Sequence, residues 1–122
     1  MPLKIDPKAE SAEILNLFGV YLRDAVTEVD RLVEILQALT TVEWRLKYEK
    51  EHLNDKVLPQ GLRQETIYAL EHECTSIACE AKAVLNVVVE KFSPPPRELT
   101  VVVQRLDEKY GDAFKKRNLL RA

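Results

Sequence analysis

Glu49 and His52 have the Glu-x-x-His spacing that puts two metal ligands on one face of a helix, as in carboxylate-bridged di-iron bundles. Such sites need a second copy of the motif and two further inward carboxylates. His72, the other histidine, has Ala69 three residues before it, so no metal site is expected. Arg45 and His52 stand seven residues apart, about two helical turns, so both can face one way. Glu71-His72-Glu73 is no ligand cluster, because adjacent helical residues diverge. Cys74 and Cys79, five apart on a helix, point about 140° away from each other, which rules out a disulfide between them. There is no Gly-rich phosphate loop and no Ser or Thr in a nucleophile context. No catalytic residue, cofactor or metal ligand is therefore expected.

The Arg45 and His52 pair resembles the Arg…His pair of HEPN-type helical ribonucleases. That resemblance implies RNA cleavage with the arginine on phosphate and the histidine as proton carrier. It covers two residues, and Leu46 stands where a polar residue usually follows the arginine. An RNA-acting protein is thus the alternative reading, either a nuclease using Arg45 and His52 or a binder using the basic C-terminal tail.

Charge bears on that alternative. Eighteen Lys and Arg face twenty Asp and Glu, a net charge of −2. The last eight residues hold Lys115, Lys116, Arg117 and Arg121 and no acid, leaving fourteen bases against twenty acids in residues 1–114. An acidic body would repel a nucleic-acid backbone, so nucleic acid is not the favoured partner. The four basic tail residues are candidate contacts for an anionic partner, although bases in the last turn of a helix also complement its dipole.

The elements that must position these groups are helical. The chain has 122 residues, 46% of them hydrophobic, 31% charged and only three of them Gly, which suits one helical domain spanning residues 1–122. Asp6-Pro7 signals a helix start. Leu15, Phe18, Leu22, Ala25, Val29, Leu32, Leu36 and Leu39 then alternate three and four apart, the seam of a coiled coil or bundle helix. The spacing predicts a very long first helix over about 7–54, with a capping-box match at Thr40-Thr41-Val42-Glu43 as the place where it could break. A second helix is expected over 62–92, with Ile67, Leu70, Cys74, Ile77, Ala81, Val84 and Val88 as its seam. Ser93-Pro94-Pro95-Pro96 stops it, and a third follows over 96–119, with Gly111-Asp112 as a further stop signal. The expected fold is all-α: an antiparallel three- or four-helix bundle with coiled-coil-like seams.

An unbroken helix over 7–54 would be about 70 Å long, more than a compact chain of this size can cover alone. The expectation is therefore a non-enzymatic protein-protein interaction or assembly module that self-associates, as a dimer through the first helix. An adaptor, an assembly factor or a small complex subunit would each fit. The expected interface is Leu15, Phe18, Tyr21, Leu22, Val26 and Trp44, the last an indole on the side away from the seam. Partners would be a second copy and another protein, with no membrane, since Val87-Val88-Val89 is far too short an apolar run to span one. The start lacks the apolar stretch of a signal peptide, so a cytoplasmic location is expected.

Overall fold

The computed structural model describes residues 8–15, 27–53, 60–92 and 94–120. Among them every regular element is a helix: α1 at residues 11–15, α2 at Thr27–Glu51, α3 at Gln60–Glu90 and α4 at Arg97–Lys116. The all-α class expected from the seams is thus what the chain adopts.

The expected 7–54 helix is described only over 11–15 and Thr27–Glu51; residues 16–26 lie outside the described part. Within α2 there is no break at Thr40. A capping box would need the Thr40 hydroxyl to turn onto amides of a new helix. Instead Thr40 and Thr41 donate their hydroxyls backward to the carbonyls of Leu36 and Gln37, at 3.0 and 3.1 Å, and the helix passes through. Glu28 and Asp30 in its first turn and Lys50 in its last complement the helix dipole.

α3 is tied to α2 near both ends. Lys91, just past the end of α3, donates to Glu28 in the first turn of α2 at 2.9 Å. At the other end Lys50 lies 3.3 Å from Glu71, and the buried Arg63 lies 3.5 Å from Glu49. The proline corner works as the sequence suggests: Pro96 is the N-cap of α4, at φ −66 and ψ 158, and offers no amide of its own.

α4 does not stop at Gly111. The helix continues to Lys116 and ends on Asn118, which takes a left-handed φ of 61. The Leu119 amide donates to the Phe114 carbonyl at 2.8 Å and the Asn118 amide to the Lys115 carbonyl at 3.2 Å, the paired bonds of a Schellman stop with asparagine in place of the usual glycine. Asn86 of α3 then donates its side-chain amide to the Leu119 carbonyl at 3.0 Å, which pins the turn against α3.

One buried cluster joins all four helices: Ile14 and Leu15 of α1, Leu32 and Leu36 of α2, Ala81 and Leu85 of α3, and Leu99 and Phe114 of α4 are among its members. The described part of the first seam, Leu15, Val29, Leu32, Leu36 and Leu39, is buried within a single chain. The expectation that Leu15 would lie bare is thereby corrected. α1 packs into the cluster, and Arg105 of α4 donates to the Ala9 carbonyl just before it.

Candidate functional site

Trp44 lies five residues after the buried Leu39, roughly 140° around α2, so it points away from the core. It is 67% exposed, and Tyr48, one turn on, is exposed beside it. Three surface concavities meet at Trp44 and Glu10. The largest, about 560 Å³, reaches Lys109 and Tyr110 of α4. A second, about 460 Å³, runs past Lys47, Tyr48 and Glu51. The third, about 320 Å³, runs toward Glu13 and Thr41.

The wall on the α4 side is a polar latch drawn from three helices. Tyr110 donates its hydroxyl to Glu43 Oε2 at 2.6 Å, and the Lys109 ammonium pairs with the same carboxylate while lying 5.8 Å from the centre of the Tyr110 ring. Beside the phenol sits the buried Cys74 thiol of α3. Burial first, and then the hydrogen bond to the Glu43 carboxylate, pushes the Tyr110 phenol far above its ordinary range. Burial, followed by the Glu43 charge, pushes the Cys74 thiol up as well. At neutral pH the one is a neutral donor and the other a protonated thiol. Neither is an activated nucleophile, and the latch is built to hold shape.

The charges around Trp44 are unevenly satisfied. Lys109 is taken by Glu43 and Lys50 by Glu71. Glu10, Glu13 and Glu51 have no ion-pair partner among the described residues, and Lys47 is the one base beside them in the same condition. The groove is therefore an aromatic surface with an excess of uncompensated carboxylate.

The remaining sequence candidates fall elsewhere. Leu15 is in the core, and Phe18, Tyr21, Leu22 and Val26 lie outside the described residues. Of the expected interface set, Trp44 is the member found exposed. His52 follows the end of α2 with its ring stacked on Tyr48 at 4.0 Å and Nδ1 2.8 Å from the Tyr48 carbonyl, while Arg45 is exposed two turns earlier. Glu49 of the Glu-x-x-His spacing faces Arg63. Lys115, Lys116 and Arg117 are exposed at the end of α4 without ion-pair partners among the described residues, and Arg121 lies outside them. Both cysteines are free and buried. Among the described residues no helix is long and apolar enough to cross a membrane.

Two features escaped the sequence reading. Trp44 and Tyr48 are an i, i+4 aromatic pair off the seam, a spacing that could have marked a shared outward face. Lys82 is 2% exposed, with its ammonium 2.9 Å from Asp107 Oδ1 and 5.7 Å from the centre of the Phe114 ring. Its position four after Ala78 and three before Leu85, both buried, places it on the seam.

Comparison of the chain with protein-family models, with curated proteins and with solved structures finds no match.

Proposed function

We propose that this chain is a non-enzymatic helical interaction module that docks a protein partner on the groove around Trp44, as an adaptor, assembly factor or small complex subunit. The observation that carries the reading is the 67% exposed indole at the meeting point of three concavities. Burying a large aromatic side chain recovers about 1.5–3 kcal/mol, and tryptophans set in pockets are the commonest anchors of protein interfaces. The ion pairs of Glu28 with Lys91 and of Lys50 with Glu71 support an antiparallel α2 and α3 as the frame of the bundle. Two free, buried cysteines suit the reducing cytoplasm.

The HEPN-like reading has less support. The His52 ring is held against Tyr48, and the tail bases sit in the last turn of α4, where they complement its dipole. RNA cleavage lost in His52→Ala would revive it.

The docking role is tested in cells by placing a photoreactive benzoylphenylalanine at Tyr48 and, as a control, at Glu34 on another side of α2. A covalent protein adduct is expected from position 48 and not from 34, and should be lost when Trp44→Ala is added. Equal yields from both positions, or none from position 48, would overturn the reading.

A further inference from the structure

The occupant of the groove can be argued from the charges left over. On one side stand Glu10, Glu13 and Glu51 around Trp44 and Tyr48, and among the described residues Lys47 is the one groove base not already paired with a carboxylate. Aromatic faces edged by carboxylates attract ammonium and guanidinium groups, because the ring quadrupole and the full charges act in the same sense. A basic segment is the chemistry this surface fits.

The chain itself carries such a segment. Lys115, Lys116 and Arg117 are consecutive, exposed and without ion-pair partners among the described residues. The Schellman stop at Asn118 and the Asn86 bond to the Leu119 carbonyl fix their backbone against α3.

They end the helix that walls the groove. Lys109 lines it, and Lys116 is seven residues further on, so it shares that side of α4 about 10 Å along the axis. The chain thus carries both an acidic aromatic patch and a basic one. Two copies related by a two-fold axis can each offer the basic patch to the other's acidic patch, which is the self-complementarity that an isologous dimer needs.

We propose that the Trp44 groove receives the basic end of α4 from a second copy of this chain, reciprocally, to form a two-fold homodimer. The inference rests on the docking role given to Trp44 above and names its occupant. The contact involves the α2 groove and the end of α4 and leaves the Leu15 seam inside each chain.

Light scattering on the full chain, with Trp44 emission recorded on the same samples, tests it; Trp44 is the only tryptophan, so the emission is unambiguous. At about 0.05 M salt the mass should be twice the 14.0 kDa of one chain, with blue-shifted emission. Raising salt to about 0.5 M shortens the screening length to a few ångström and should weaken the dimer at least about ten-fold. Glu10→Lys, Glu13→Lys and Glu51→Lys together should give a monomer, as should Lys115→Glu, Lys116→Glu and Arg117→Glu together. Both sets combined in one chain should restore the dimer. Circular dichroism checks that each variant is folded, and if a reversed chain is not, glutamine at the same three positions should also give a monomer.

A monomeric wild type at low salt, or a dimer indifferent to both charge sets, overturns the proposal. If the wild type is monomeric while position 48 still crosslinks to a different protein, this dimer is lost and the docking role of Trp44 stands.

Discussion

The Tyr110 hydroxyl on α4 donates to Glu43 Oε2 on α2 at 2.6 Å, bridging two helices whose Cα atoms come no closer than 8 Å. Where backbones stay that far apart, side chains do the joining, and the joint depends on a proton. Removing the hydroxyl in Tyr110→Phe should cost about 1–2 kcal/mol in urea unfolding, since a charge-assisted bond is lost and Glu43 keeps only Lys109.

The same bond sets an alkaline limit. Both Tyr110 and Cys74 hold their protons more firmly in the folded chain than in the unfolded one. A group whose folded pKa is raised contributes its stability in full below the unfolded value and loses it as pH climbs toward the folded one. The unfolded values are the ordinary ones, near 9 for the thiol and 10 for the phenol. Stability should therefore fall from about pH 9 upward, and fall less steeply in Tyr110→Phe. A pH series of urea midpoints measures both, and equal slopes would remove the argument.

Lys82 and Asp107 should respond unequally to substitution. Asp107→Ala strands a buried ammonium beside Phe114 and should cost about 3–5 kcal/mol. Lys82→Met keeps the length of the side chain and leaves behind a carboxylate with a third of its surface still in water. Its cost should stay under about 1.5 kcal/mol. Urea unfolding of the two variants decides, and the reverse order would count against the buried pair.

Leu15→Ala separates core from interface. A fully buried leucine truncated to alanine should cost about 2–5 kcal/mol. The solution mass should be unchanged. Were Leu15 an interface residue, the mass would change with little loss of chain stability.

Asn118→Gly should be neutral or stabilising by up to about 1 kcal/mol, because glycine adopts a φ of 61 without a side-chain penalty. Asn118→Val should lose about 1–2 kcal/mol at the same position. Thermal midpoints of the two variants should bracket that of the wild type.

Much of the helix frame was legible because apolar spacing is a local signal. Val29, Leu32, Leu36 and Leu39 were assigned to a seam and are buried, as are Leu70, Cys74, Ala81 and Val88 of α3. On α3 the buried face is broader than the alternation of three and four: Ala78, Cys79 and Leu85 are buried while Ile77 and Val84 are only partly covered. Packing against α2 on one side and α4 on another widens the stripe.

The stop signals were less reliable, because each has two outcomes of similar energy. Thr40 could cap a new helix or bond back to Leu36, and Gly111 could end a helix or sit inside one at a cost of about 1 kcal/mol. Tertiary packing chose the continuous helix in both cases. The latch was out of reach for another reason: Glu43, Cys74 and Tyr110 come from three helices, 31 and 36 residues apart in sequence. No short-range pattern relates them. Trp44 was legible as an outward indole, whereas the excess of acid around it depends on which lysines are already engaged.

The unequal fastening of the helices has a consequence for how the chain opens. α2 and α3 are clamped near both ends by Glu28 with Lys91, Lys50 with Glu71 and Glu49 with Arg63, whereas α4 meets α2 at Glu43, through Tyr110 and Lys109. Such a molecule has an order of disassembly written into it. Amide hydrogens of α4 should exchange with solvent through a partial opening that leaves the α2 and α3 pair intact, and only global unfolding should release the protons of Leu32, Leu36 and Leu85.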